Sequence, residues 1–198
     1  MISENETCVP CRTYSAPLNG SPEKSENIND CLKNRSYDRL WVLFPYTGRY
    51  RKLLTAYKFK KNLVLADFFA EKIICKIEEN PELFDAVIVP VPPRPGKTKE
   101  SGWDQVDYLV KRIKKFCKEK NIKFYLRRKK SKIQKQLNRK DRLENLKNRI
   151  YAPNGSVLAQ TVLIIDDVIT TGSTMEVCAK ALKEGGVKNI YGLCLFYD

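Results

Sequence analysis

Two adjacent acids and a run of hydroxyls stand out in the stretch VLIIDDVITTGST, residues 162–174. Carboxylates such as Asp166 and Asp167 accept hydrogen bonds from the adjacent hydroxyls of a sugar, or share a Mg²⁺ ion with them. The residues that follow are Thr170, Thr171, Gly172, Ser173 and Thr174. A glycine turn that opens a helix and carries hydroxyls binds phosphate through backbone N–H groups. Since like charges repel, the spacing predicts a ribose 5-phosphate site, with the diol on the acids and the phosphate on the turn.

A purely structural interpretation is that these residues end a strand and cap the next helix. Asp, Ser and Thr are all favoured at helix N-caps. Capping accounts for one or two of the residues, but not for six in succession that include a tandem acid. We therefore favour a ligand site.

Hydrophobic periodicity predicts the elements that position this stretch. Residues 161–166 are predicted as a buried strand that ends at the two acids, and a helix follows from about Ser173 to Glu184. The glycine pair 185–186 closes that helix, and NIYGLCLFY, residues 189–197, is the last strand. Because ligands bind beyond the carboxyl ends of parallel strands, the acids are expected at that edge of a sheet.

The preceding residues alternate between strand and helix in the same way. DAVIVPV, residues 85–91, is typical of a buried parallel strand, and PVPPRPGKTKESG after it is predicted as a loop that no helix crosses. Helical periodicity begins at Tyr50, resumes at Leu63 and returns over residues 106–117, whereas 121–126 is strand-like. This order predicts an α/β fold, a doubly wound, mainly parallel sheet with flanking helices.

Composition narrows the functional classes. The 198 residues include no histidine, which excludes Ser–His–Asp and Cys–His mechanisms and histidine-based metal sites. The first residues show no secretory signal, and no apolar run approaches the ~20 residues of a membrane span. We therefore expect a cytoplasmic protein without membrane insertion. Four of the seven cysteines fall in apolar stretches and are expected to be buried: Cys75, Cys117, Cys178 and Cys194.

The positive charge is confined to one segment. Residues 111–150 hold 18 Lys or Arg against 3 Asp or Glu, a local balance of +15 within a chain of net charge +14. Such a segment attracts phosphates, free or in nucleic acid. The alternative is a solvated lysine-rich surface without a ligand.

Prolines and glycines among the polar N-terminal residues suggest the domain boundary. Residues 1–37 are polar and predicted as a loop-rich N-terminal segment, whereas 38–198 form the α/β domain. Within that domain, residues 127–150 are predicted as a basic flexible loop with a short helix around RKDRLENLKNRI.

The acid and hydroxyl stretch resembles the phosphoribosyl-pyrophosphate (PRPP) motif of type I phosphoribosyltransferases: four apolar residues, two acids, then T-T/S-G-x-T. Further segments resemble the ComF-like family, which is related to amidophosphoribosyltransferases. They are YTGRYRKLLTAYKFKKN (46–62), VIVPVPP (87–93), SGWDQ (101–105) and SKIQKQLNRKDRLENL (131–146). The resemblance covers the chain from about residue 40 onwards, in the expected order.

This resemblance implies a type I phosphoribosyltransferase-like fold and a role for each matching position. Asp166 and Asp167 would be the catalytic acids on the ribose diol, and the turn 170–174 would bind the 5-phosphate. A loop that contacts pyrophosphate would comprise Val91, Pro92, Pro93 and Arg94. A basic loop that closes over the ligand would include Arg127, Arg128, Lys129, Gln134 and Arg142. Lys58 and Gln105 match further family positions, and Mg²⁺ would accompany PRPP.

Two departures from the family pattern stand out. The family's R-G-F-N-Q is Ser101-Gly102-Trp103-Asp104-Gln105 in this chain. An arginine is therefore replaced by Ser101, and an asparagine by Asp104. Any anion contact from that arginine is in doubt.

The N-terminal cysteines resemble the family's four-cysteine zinc ribbon, but one ligand is missing. Cys8, Cys11 and Cys31 match three ligand positions, and Asn34 occupies the fourth. Structural Zn²⁺ takes four Cys or His ligands, and asparagine is a poor substitute. We therefore expect the protein to carry little zinc.

Two functions stay open at this stage. The first is a phosphoribosyltransferase that transfers a phosphoribosyl group, with Mg²⁺, to an unknown acceptor. The second, implied by the family's association with DNA uptake, is a non-catalytic, PRPP-responsive factor that binds single-stranded DNA in natural competence. Both predict PRPP binding, and a homodimer is common for the fold.

Overall fold

A computed structural model of the protein describes residues 35–129, 150–153, 155 and 157–198. Within these ranges, residues Ser36–Asp198 form one compact unit. The N-terminal cysteine cluster and most of the basic loop 127–150, including its predicted short helix, lie outside the described residues.

Strands and helices alternate along the described part of the chain. The strands are β1 (Arg39–Pro45), β2 (Val87–Pro90), β3 (Arg127–Arg128), β4 (Ile150–Tyr151), β5 (Thr161–Ile169) and β6 (Asn189–Tyr197). The helices are α1 (Gly48–Lys58), α2 (Val64–Glu78), α3 (Lys97–Ser101), α4 (Gln105–Phe116) and α5 (Ser173–Glu184), with a 3-10 turn at Pro81–Leu83.

The main sheet has four strands in the order β1-β6-β5-β2, and every neighbouring pair is parallel. The central strands β5 and β6 are runs of buried apolar residues, as expected for strands covered on both faces. Helices α1, α2 and α4 pack against one face of this sheet, whereas α5 packs against β5 and β6. The predicted doubly wound, mainly parallel α/β sheet with flanking helices is confirmed.

Three elements differ from the sequence prediction. β1 was not predicted, although it supplies the parallel edge strand beside β6. The proline-rich loop after β2 contains the helix α3, because Gly96 adopts φ +88° and lets the chain turn after the last proline. Residues 121–126 form only an isolated bridge, between Ile122 and Ile88.

The core between α1, α2, α4 and the sheet is dominated by aromatic side chains. Phe69 of α2 is fully buried, and its ring contacts those of Phe44, Tyr57, Phe68 and Phe196. Tilted and edge-to-face pairs of this kind add to the free energy gained from burial alone. This cluster connects α1 and α2 to the central strand β6.

The four cysteines in the described part of the chain are free thiols. Cys117, Cys178 and Cys194 are buried free cysteines, as predicted. Cys75 is only half-buried. No helix in the described ranges is both long and apolar enough to span a membrane.

We predict that Phe69→Ala lowers the free energy of unfolding by about 3–5 kcal/mol, because it leaves a cavity at the centre of the aromatic cluster. Urea denaturation followed by circular dichroism measures this value. Phe84→Ala is the control, since Phe84 is 50% exposed and its truncation should cost less than about 1 kcal/mol. Equal losses for the two variants would contradict this description of the core.

Candidate functional site

β5 is longer than its neighbour β2, and this difference creates a crevice. Pairing between the two strands ends at Pro90 and Ile165, whereas β5 continues alongside β6 as far as Ile169. The prediction that the strand ends at the acids was therefore wrong, because pairing with β6 keeps Asp166 and Asp167 inside β5. Both acids nevertheless lie beyond the carboxyl end of β2, where open parallel sheets bind ligands.

Alternation along β5 directs the two acids to opposite faces of the sheet. Asp167 faces α1 and α4: its Oδ2 lies 3.0 Å from Lys58 Nζ and accepts a hydrogen bond of 2.5 Å from Gln105 Nε2. Only 6% of Asp167 is exposed, so these two partners compensate for its lost hydration. Asp167 is thereby held in one orientation.

Asp166 faces α5 and has a weaker set of partners. Its Oδ1 accepts the backbone N–H of Asp167 at 2.8 Å. Burial raises the pKa of Asp166 well above its usual value, and the charge of Asp167 raises it further, whereas Lys58 partly offsets both effects. A cation or a ligand hydroxyl beside this carboxylate would favour its ionised form.

A cavity of about 550 Å³ opens at this edge of the sheet, a size suited to a small ligand. Most residues predicted for the site line it. They are Lys58, Val91, Pro92, Pro93, Arg94, Gln105, Arg128, Asp166, Asp167, Thr170 and Thr174. Its wall carries both cations and acids, which suits an anion that carries a metal ion.

The hydroxyl turn forms a smaller recess next to this cavity. Thr171, Gly172 and Ser173 line a space of about 40 Å³ that shares Asp166, Thr170 and Thr174 with the larger cavity. Gly172 adopts φ +72°, a conformation that side-chain-bearing residues rarely take, and it directly precedes α5. The predicted turn at a helix N-terminus is therefore present, and it opens beside the acids.

The hydroxyls of the turn are already ordered by one another. Thr171 Oγ1 and Ser173 Oγ are 2.7 Å apart, and Thr171 Oγ1 also accepts a long hydrogen bond of 3.4 Å from the Ser173 N–H. Thr170 and Thr171 are exposed. A phosphate that enters the recess would meet hydroxyls held close to a helix N-terminus.

The basic loop, residues 127–150, contributes one described residue to the cavity wall. The two ends of this loop pair as the antiparallel strands β3 and β4, and Arg128, in β3, lines the cavity. Arg127 and Lys129 are not brought to the cavity: Arg127 Nη1 donates to the Phe124 carbonyl at 2.6 Å, and Lys129 Nζ lies 5.0 Å from the centre of the Tyr151 ring.

Several predicted residues lie outside the described part of the chain. They are Gln134 and Arg142 of the basic segment and the N-terminal Cys8, Cys11, Cys31 and Asn34.

Sequence reasoning missed a polar network on the wall formed by α3 and α4. Lys97 Nζ donates to Asp104 Oδ2 at 2.5 Å and also to Gln105 Oε1, and both Lys97 and Asp104 line the cavity. Because the same Gln105 amide donates to Asp167, the network joins the proline-rich loop to β5. The only sequence signal was the change from asparagine to Asp104, shortly after a lysine-rich loop.

Tyr57 holds the backbone of Gln105, a member of this network, in place. Its hydroxyl donates to the Gln105 carbonyl at 2.5 Å, and its ring is fully buried. Burial raises the pKa of Tyr57, and the nearby charges of Asp104 and Asp167 act in the same direction, so the hydroxyl stays a donor. The backbone of Gln105 is therefore fixed where its side chain meets Asp167.

We predict that Asp166→Asn stabilises the ligand-free fold at pH 8, because burial disfavours the charged form of this carboxyl. Because the folded-state pKa of Asp166 is raised, its contribution to stability is present below the unfolded pKa of about 3.9 and is lost as pH rises through the folded value. The difference in melting temperature between variant and wild type should therefore be larger at pH 8 than at pH 5.

Glu71→Gln is the control for this comparison, since it neutralises an exposed carboxylate on α2. It should shift the melting temperature little at either pH. A difference between Asp166→Asn and wild type that is the same at both pH values would contradict the proposed burial of charge.

Comparison with known proteins shows which proteins this chain resembles. The model of the phosphoribosyl transferase domain family matches residues 109–198, which include β5, the hydroxyl turn and α5. Competence protein F of Haemophilus influenzae is 26% identical over 204 residues, covering 96% of this chain and 89% of that protein.

Two further relatives align over most of their length. Competence protein ComFC of Streptococcus pneumoniae is 24% identical, over 83% of this chain and 78% of that protein. Competence protein ComFC of Bacillus subtilis is 23% identical, over 92% of this chain and 80% of that protein. Residues 109–198 therefore match a phosphoribosyl transferase domain, and the chain as a whole is similar to competence proteins of the ComF type.

Proposed function

We propose that the cavity at the carboxyl edge of the sheet binds PRPP together with Mg²⁺. The observation that carries this proposal is that one cavity collects the two acids of β5, the end of the hydroxyl turn, and the loop after β2. These groups match the three parts of PRPP: the diol, the 5-phosphate and the pyrophosphate. The ribose would lie across the edge of the sheet, between the turn and the loop.

The donor set is compatible with Mg²⁺ supplied by the ligand. Among the described residues, no group of three or more Cys, Asp or Glu side chains could hold a metal ion by itself. Mg²⁺ in phosphate sites uses one or two carboxylates, phosphate oxygens and retained waters. Asp166 and Asp167 would supply the carboxylates, and the metal would neutralise charge on the pyrophosphate.

Transfer of the phosphoribosyl group forms a bond from the acceptor to the anomeric carbon and breaks the bond to pyrophosphate, which leaves with the electron pair. Positive charge develops on the ribose, and negative charge on the leaving group. Asp166 and Asp167 would hold the diol beside the developing cation, and Arg94 and Arg128, which line the same cavity, would neutralise the leaving group. No protein nucleophile is required, so a chain without histidine can carry out this step.

We predict that Asp166→Asn/Asp167→Asn lowers the affinity for PRPP with Mg²⁺ by about tenfold or more, because the diol and the metal lose charged partners. Isothermal titration calorimetry measures this affinity. Asp85→Asn, an exposed acid before β2, is the control and should bind as the wild type does. A wild type that does not bind PRPP would overturn the proposal, and pyrophosphate release with a nucleobase or amine would identify an enzyme.

Single-strand binding is the second candidate function, and the names of the relatives favour it because all three are competence proteins. The charge of +15 over residues 111–150 would attract a nucleic-acid backbone. Arg128 of β3, at the start of the basic loop 127–150, lines the cavity. A PRPP-responsive factor could therefore use the two features together.

We predict that neutralising four lysines of the basic segment weakens binding to a fluorescent single-stranded oligonucleotide and flattens its salt dependence. The changes are Lys129→Gln, Lys130→Gln, Lys132→Gln and Lys135→Gln. For every phosphate that the variant no longer neutralises, the slope of log K against log[salt] should fall by about 0.7. Fluorescence anisotropy between about 50 and 200 mM salt measures both quantities.

The control neutralises four exposed lysines elsewhere in the domain. They are Lys52, Lys180, Lys183 and Lys188. If this control weakens binding as much as the first set, the attraction reflects net charge alone and the basic segment has no specific role in binding.

A further inference from the structure

The short helix α3 carries a cation on the face where the family pattern has its arginine. In the family pattern that arginine stands at position 101, where this chain has Ser101. Lys97 lies four residues earlier, so the two positions share one face of the helix. The hydroxyl of Ser101 donates to the Lys97 carbonyl at 2.7 Å, as expected for residues one turn apart.

Lys97 is held at the cavity by a buried acid. The Asp104 side chain is only 3% exposed, and its Oδ2 accepts the Lys97 ammonium while Oδ1 caps α4 through the N–H groups of Val106 and Asp107. An asparagine in its place would cap the helix without charge. Asp104 therefore supplies a negative charge that holds a cation at this place. This protein has that charge and lacks the arginine of the family pattern.

The geometry leaves Lys97 able to bind a ligand. An ammonium group has three N–H donors, and within the described residues Asp104 and Gln105 accept two of them. The Lys97 side chain is 20% exposed and lines the cavity together with Arg94, in the loop after β2. A third donor is therefore available to a ligand in this cavity.

We infer that Lys97, positioned by Asp104, is the cation that contacts the pyrophosphate of PRPP in place of the arginine missing at position 101. This inference rests on the proposed function and assigns one of its contacts. The other interpretation is that the Lys97–Asp104 pair only fastens α3 to the start of α4. The two interpretations differ in which ligands depend on Lys97, because a pyrophosphate is present in PRPP and absent from ribose 5-phosphate.

The test compares two ligands in the full-length protein. Lys97→Met removes the charge but keeps an unbranched apolar chain. We expect its dissociation constant for PRPP with Mg²⁺ to rise about tenfold or more, while that for ribose 5-phosphate stays within about twofold of the wild type. Isothermal titration calorimetry with each ligand provides both values, and thermal denaturation reports on folding.

Two further variants sharpen the test. Lys99→Met, on the same helix but exposed, should leave both affinities unchanged. Lys97→Met/Ser101→Arg should recover most of the PRPP affinity, because it restores a cation to the same face of α3. If the Lys97–Asp104 pair had only a structural role, the double variant would not selectively recover PRPP affinity.

The possible outcomes separate this inference from the proposed function. If the wild type binds PRPP and Lys97→Met binds it equally well, or loses both ligands equally, the assignment of Lys97 is wrong and the PRPP site stands. If the wild type does not bind PRPP, the proposed function fails and the role of Lys97 falls with it.

Discussion

The structure depends on the accommodation of two neighbouring carboxylates inside the central strand β5. Because side chains alternate along a strand, Asp166 and Asp167 must enter different faces of the sheet, and neither can be left without partners. Asp167 obtains Lys58 from α1 and Gln105 from α4. Asp166 accepts the backbone N–H of Asp167, and burial together with the charge of Asp167 raises the pKa of this carboxyl.

The two acids at the edge of the sheet therefore differ: Asp167 is fixed by its partners, whereas Asp166 can respond to a ligand. Asp167 belongs to a network that continues through Gln105 to Lys97 and Asp104, so its geometry is determined before any ligand arrives. Asp166 faces the hydroxyl turn, where binding of a hydroxyl or a cation would change its protonation. Ligand binding beside Asp166 can offset the free-energy cost of burying this carboxylate in the empty site.

The aromatic core supports the fixed acid, Asp167. Tyr57 joins the ring cluster around Phe69 and also donates its hydroxyl to the carbonyl of Gln105. Trp103 packs edge-to-face on Tyr57, so the SGWDQ segment contributes packing as well as polar contacts. The same hydrophobic cluster that stabilises the domain thus holds the amide that orients Asp167.

The sequence by itself determined the α/β class and most of the elements, and most residues that it predicted for the site line one cavity. Periodicity placed α5 and β6 at their observed bounds, and the tandem acids and hydroxyl turn pointed to one sheet edge. These features are local: hydrophobic alternation, glycine turns and caps depend on residues within a few positions of one another.

Only the tertiary structure decided how far β5 extends, because strand length depends on pairing with β6 and not on the strand's own residues. It also decided that β1 is an edge strand beside β6, although the two strands lie near opposite ends of the domain's sequence. The contact between Lys97 and Asp104, and the link through Gln105 to Asp167, arise because α3, α4 and β5 meet at one place. Such contacts depend on how separate elements pack together, so no local pattern could have predicted them.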